Sequence, residues 1–413
     1  MNDAAHDAAF SHLHPADLRA LSQLLGDAVI GGTDIAEAVH AAIAARLGLR
    51  WRPRPAERMG GISGLVYRSI RGITNGIAQG AERVLHHTEP LLDDPEGSSR
   101  ERDAVVAILN GVIGDYLTAT GNPLATPMHL RRLQHPFALH PHRVAAAFPA
   151  ASSHMVVWIH GLCMHDAQWQ RDGHSHPAAL ERDLPVTSVR VRYNTGLHIS
   201  TNGRTLATLL ARLLEAWPRR VERLSLVGHS MGGLVARSAL HYATQQKMAW
   251  PEQVDALGYL GTPHHGAPLE RGGGWIDYAL GATSVSAPVA RLGQIRSDGI
   301  TDLRYGYVRD ADWQHPRAQK AGHDPREPVS LPAHIRPFAA AASTGGRPGA
   351  LKGRVLGDGL VPLDSALGYH PEPALALGIP RMQQWVGYDM NHFDLLSDYA
   401  VYRALRTHLA RSR

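Results

Sequence analysis

Apolar positions change their rhythm near residue 150. Before that point the spacing is helical. Residues 16–30 and 34–47 predict two short helices broken by Gly31-Gly32, and Arg50 to Pro55 reads as a connector. Between Ile62 and Leu85 apolar residues recur at Ile62, Leu65, Val66, Ile70, Ile73, Ile77, Val84 and Leu85, largely a 3.6-residue period. Another helix is expected over about 103–117, with Val105, Ile108, Leu109, Val112, Ile113 and Tyr116 as its stripe, before GNPLATP breaks the pattern. Residues 1–150 therefore read as a helical amino-terminal extension.

From residue 154 short apolar runs alternate with helical stretches. Strands are expected at 155–159, 188–193, 224–227, 256–260, 335–341 and 382–386. Helices are expected at 206–217, 231–242 and 393–409. Dense apolar strands alternating with helices predict a mostly parallel sheet covered on both faces, an α/β architecture over residues 151–413. An insertion at about 262–332 interrupts the rhythm. It carries a glycine run at 272–274, helices near 276–282 and 289–295, and an extra strand near 302–308, and it reads either as a lid or as a long ordered surface excursion.

Composition removes several classes. Hydrophobic residues make up 44% of the 413 and charged residues 19%, which suits a packed core and argues against a disordered chain. A net charge of +5 is too small to point to nucleic acid. The single cysteine, Cys163, excludes an internal disulfide. The first residues lack the basic patch and apolar run of a signal peptide, and no stretch approaches the length of a membrane span, so a cytoplasmic protein is expected. The 26 histidines are scattered, so no metal array is expected.

The chemistry concentrates in Gly228-His229-Ser230-Met231-Gly232-Gly233, which follows a strand and opens a helix. That context lets Ser230 occupy a tight strand-to-helix turn with its hydroxyl presented, and the glycines relieve the crowding. A serine hydroxyl needs a base and the base an orienting carboxylate. His392 follows the last strand and suits the base. Asp358, between two glycines in GDGLVP, suits the carboxylate, with Asp364 as its rival. The backbone N–H groups of Met231 and Leu162 are the expected oxyanion donors. Ser230 Oγ and His392 Nε2 are expected at roughly 2.6–3.2 Å, or slightly beyond before substrate binds. His264 and His265 are read as pocket wall rather than metal ligands, since no acidic or cysteine cluster joins them.

These segments resemble the α/β-hydrolase superfamily, and within it the bacterial triacylglycerol lipases and GPI inositol-deacylase-like esterases. The likeness rests on HGL at 160–162, GHSMGG at 228–233, GTPHHGAP at 261–268, GDGLVP at 357–362 and the His392 loop, and spans roughly residues 154–410. It implies a serine esterase or lipase that works through an acyl-enzyme, with thioesterase, acyltransferase and non-catalytic binding as alternatives on the same fold. Ser230, Asp358 and His392 match the family's nucleophile, acid and base, and Leu162 and Met231 its oxyanion donors. Some members hold calcium through an aspartate two residues after the histidine. Asp394 stands there without a companion, so no cofactor or metal is expected. The expected partner is a small or lipid-like acyl ester. The amino-terminal stripe is expected to cover the site, with peripheral membrane contact and assembly as alternatives.

Overall fold

A computed structural model describes residue 20 and residues 100–133, 135–267, 297–314, 324, 326–346 and 357–411. Apart from Ala20, the helices expected at 16–30, 34–47, 62–85, 276–282 and 289–295 lie outside the described residues. The chain divides into two compact units, residues 1–102 with 119–124, and residues 103–118 with 125–413. The second unit carries the sheet.

The strands are β1 (His129–Arg132), β2 (His135–Pro136), β3 (His154–Ile159), β4 (Thr187–Arg192), β5 (Arg223–His229), β6 (Val254–Leu260), β7 (Arg336–Ser343) and β8 (Gln384–Tyr388). Their order is β2-β1-β4-β3-β5-β6-β7-β8. From β4 to β8 every neighbour pair is parallel, while β1 runs antiparallel to β4 and β2. Every residue of β3 and β6 is buried. Strands covered on both faces need apolar residues throughout rather than alternation, which is why these runs are so dense.

The helices are α1 (Arg100–Ala119), α2 (Pro141–Ala147), α3 (His176–Asp183), α4 (Ile199–Ala216), α5 (Met231–Gln245), α6 (Asp298–Tyr305), α7 (Asp310–Gln314), α8 (Leu363–Ala366) and α9 (Tyr399–Ala410). One side of the sheet packs Val156, Trp158, Val227 and Leu260 against Leu180 of α3 and Val401, Tyr402 and Leu405 of α9. On the other side α5 lies against β5 with α4 beside it. The result is an α/β-hydrolase fold.

Several sequence expectations are corrected. Residues 302–308, expected as a strand, belong to α6 and the turn after it. Ser297 Oγ accepts from Ile300 N–H at the start of that helix, and Gly306 ends it at φ 68°. Residues 129–132 and 135–136, within a stretch that reads as helical, form β1 and β2. The last helix is not continuous from 393. A short 3₁₀ turn over 394–396 precedes α9, which starts where the Asp398 carboxylate accepts from Ala400 and Val401 N–H. Residues 381–383 are a 3₁₀ turn leading into β8 rather than part of it.

Candidate active site

Ser230 joins β5 to α5 with φ 53° and ψ −124°, a strained conformation for a residue bearing a Cβ. The neighbouring glycines permit it. A Cβ on Gly228 would lie 2.3 Å from Gly233 N, and one on Gly232 2.1 Å from Ile159 O. Ser230 N–H donates to Leu260 O at 2.8 Å, which ties the turn to the end of β6. The Ser230 hydroxyl is solvent-excluded and makes no hydrogen bond among the described residues. No hydrogen bond joins Ser230 Oγ to His392 Nε2 in this structure.

His392 lies against the same strand end. A Cβ on Gly261 would come within 2.9 Å of His392 Cε1. The neighbouring imidazole of His229 donates from Nε2 to His392 O at 3.2 Å, with the two ring centroids 4.7 Å apart. Burial and then the adjacent His392 hold His229 well below the usual histidine range, so it remains a neutral buttress.

The carboxylate at His392 is that of Asp358. His392 Nδ1–H donates to Asp358 Oδ2 at 2.6 Å, and both side chains are 1% exposed. Asp358 Oδ1 accepts from Leu360 N–H at 3.0 Å and Val361 N–H at 2.8 Å, so its own tight loop fixes the carboxylate. Gly357 and Gly359 hold φ 54° and 95° around it. His392 N–H also donates to Asp358 O at 3.2 Å. Asp364 is exposed on α8, and the carboxylate on Nδ1 is that of Asp358. Asp394 accepts from Asn391 N–H at 2.7 Å and closes the turn that carries His392. Among the described residues no group of three or more His, Cys, Asp or Glu could hold a metal ion.

Leu162 follows β3 in a loop that abuts the serine: a Cβ on Gly161 would lie 3.0 Å from Ser230 Cβ. Leu162 N–H and Met231 N–H donate to no described residue, and both side chains are buried. The first amide lies in the loop after a strand and the second opens a helix, where backbone donors and the helix dipole favour negative charge.

Two supports of this loop escaped the sequence reading. Tyr193 OH donates to His160 O at 2.8 Å, and its ring stacks on His160 with centroids 4.4 Å apart. Helix α1 also docks here. A Cβ on Gly111 would lie 2.2 Å from Cys163 Sγ, and one on Gly114 1.9 Å from Asn194 Oδ1. The helix is interrupted at Ile113, where Gly111 O accepts from Ser297 Oγ and Gly114 O from Asn194 Nδ2. The only sequence signal was the pair of glycines three apart in an otherwise apolar helix. Cys163 itself, at φ 57°, is buried, and burial pushes its thiol up to about 12, so it holds its proton and is no nucleophile.

Comparison with known proteins adds the following. Residues 149–273 match the family model described as "Putative serine esterase (DUF676)", a stretch that includes Leu162, Ser230 and Met231 and stops short of Asp358 and His392. Among solved structures, the mature form of the Bacillus licheniformis lipase BlEst2 is 19% identical, over 69% of this chain and 99% of that one, with a TM-score of 0.42. A lipase-esterase related protein from Clostridium acetobutylicum is 9% identical, over 69% and 99%, at 0.34. The RedJ thioesterase of Streptomyces coelicolor is 19% identical, over 68% and 95%, at 0.34. The activity each name carries belongs to that protein. No curated protein matches the chain.

Proposed function

We propose that this protein is a serine hydrolase that cleaves carboxylic esters through an acyl-enzyme. The observation that carries the proposal is the buried Asp358–His392 hydrogen bond at the same end of the sheet as Ser230 in its strained turn. Asp358 accepts a hydrogen bond from Nδ1–H, which holds the proton on Nδ1 and leaves Nε2 as the basic nitrogen. On this reading Nε2 removes the Ser230 proton as Oγ attacks the acyl carbon. The oxyanion is received by Leu162 and Met231 N–H, both held open at the backbone. His392, then protonated and stabilised by Asp358, returns the proton to the leaving alkoxide, and afterwards activates the water that releases the acid.

Within that class we place the substrate among lipid-like acyl esters, in the manner of bacterial lipases and GPI inositol-deacylase-like esterases. Support comes from the buried apolar Leu162 and Met231 side chains beside the nucleophile and from the apolar stripe of the amino-terminal residues. We further propose that residues 1–150 and the insertion at 262–332 contribute a cover over the site. None of the helices among the described residues is long and apolar enough to cross a membrane.

The test is covalent labelling with a fluorophosphonate. The intact chain should be modified at Ser230, and Ser230→Ala should lose both the label and turnover of a short acyl ester while keeping its fold. Full turnover by folded Ser230→Ala would remove Ser230 from the chemistry.

A further inference from the structure

His392 is held from two directions. On the side of the loop after β7, its N–H donates to Asp358 O at 3.2 Å and its Nδ1–H to Asp358 Oδ2 at 2.6 Å. Both bonds fix the imidazole to its carboxylate. Neither relates it to Ser230, which follows a different strand. A bond from that strand does so. His229 is the last residue of β5 and the sequence neighbour of Ser230, and it donates from Nε2–H to His392 O at 3.2 Å. Ser230 Oγ and His392 Nε2 make no hydrogen bond with each other. The gap between them is therefore governed by a side chain one residue from the serine.

The same ring reaches the third part of the site. A Cβ on Gly161, beside Leu162, would lie 3.1 Å from His229 Nδ1. The wholly buried imidazole thus runs from the oxyanion loop on its Nδ1 edge to the His392 carbonyl at Nε2. Donation from Nε2 assigns the one proton of the neutral ring to that nitrogen. Nδ1 is solvent-excluded and has no partner among the described residues, so a second proton there would go unpaired. It would also place a positive ring, centroid to centroid 4.7 Å away, beside the imidazole that must become positive as it takes the Ser230 proton. Burial, and then the charge of His392, oppose that second proton.

We propose that His229 is a positioning residue for acyl transfer. By holding the His392 carbonyl, its Nε2–H sets the base at the distance from which it can take the Ser230 proton once substrate binds. The inference rests on the reading of Ser230 as nucleophile and His392 as base. It concerns the donor and not the bulk of the ring.

Two uncharged variants separate donor from bulk. His229→Gln offers an amide N–H near the place of Nε2, while His229→Leu fills space and donates nothing. A misplacement of about 1 Å between reacting groups can cost about 10²-fold in rate. His229→Leu should therefore lower kcat on a short acyl ester by about 10²-fold with KM little changed, and slow fluorophosphonate labelling of Ser230 to match. His229→Gln should recover most of both. Equal losses in the two folded variants would reduce His229 to packing, and undiminished kcat in His229→Leu would remove it from the placing of the base. A second measurement needs no variant. In a crystal structure of the full chain carrying a phosphonate on Ser230, His229 Nε2 should still be hydrogen-bonded to His392 O, and a broken bond there would overturn the proposal. Failure of the underlying reading looks different. Unaltered protein that turns over ester without taking the label at Ser230 would displace the nucleophile, and this proposal with it.

Discussion

At the residue scale the site depends on a few atoms whose positions are over-determined. The Asp358 carboxylate is fixed on one oxygen by two backbone amides and gives the other to His392 Nδ1. Replacing it with asparagine keeps the shape but lets the side-chain amide donate toward Nδ1, favouring the wrong imidazole tautomer. Asp358→Asn should therefore lower kcat by about 10⁴-fold while leaving the thermal midpoint nearly unchanged. Steady-state kinetics on a short acyl ester checks this, and wild-type turnover in the folded variant would remove Asp358 from the mechanism. Asp364, six residues on, is the rival carboxylate in the sequence, without glycines on either side. The two aspartates differ in where the backbone turns, which follows from the end of β7 and the start of α8 rather than from either side chain.

At the scale of elements, the docking of α1 has a consequence for the oxyanion loop. Gly111 lets the helix backbone close on Cys163, the residue after Leu162. Gly111→Ala should push that loop and displace the Leu162 amide, lowering kcat more than it changes KM. Cys163→Ala alone should retain most activity, because its thiol carries no chemistry. Combined with Gly111→Ala it should recover part of the lost kcat, since the nearest clash is with the sulfur. A double-mutant cycle reads the coupling directly. Additive effects would mean that α1 does not position Leu162. The same scale explains two misread helices. The start of α4 is poor in helix formers, and its first amide, Ile199 N–H, is capped at 2.8 Å by Asp302 of α6, a hundred residues away. The expected helix at 206–217 begins two turns late for that reason. In the terminal helix the Asp398 cap was a local signal that the apolar periodicity on both sides obscured.

At the scale of the whole molecule, many histidines are buried uncharged. Burial lowers His160 to about 3 and His154, His165, His176 and His408 to about 4. In the unfolded chain these rings protonate near pH 6.5. Acid therefore favours unfolding: their contribution to stability is whole above about pH 6.5 and is lost progressively as pH falls toward 4. His198 acts in the opposite sense. Burial alone would lower it, but its hydrogen bond and charge contact with Asp302 raise it. The several lowered rings outweigh it. Urea unfolding followed from pH 7 to pH 4 should show a steadily falling midpoint, and a flat profile would contradict the buried neutral state. The proposed cover also belongs to this scale. Deleting residues 1–99 should selectively reduce long-chain over short-chain ester hydrolysis in a chain that still folds. Unchanged chain-length preference would rule out a channel-forming role and leave stabilisation or assembly.

The sequence by itself determined the parallel sheet and the serine turn, because both are written locally. A strand covered on both faces must be apolar throughout, as in Met155–Ile159, and a strand-to-helix turn around Ser230 needs glycines at fixed offsets. It also proposed His392 and Asp358 from their places after strands. What only the tertiary structure decided involves partners distant along the chain. Examples are Asp358 rather than Asp364 at Nδ1, α1 seated on Cys163 and Asn194, Asp302 capping α4, and His229 meeting the carbonyl of His392. Periodicity identifies which face of an element is apolar. It carries no information about which distant carbonyl, carboxylate or ring will meet that face, since this is settled only when the elements pack.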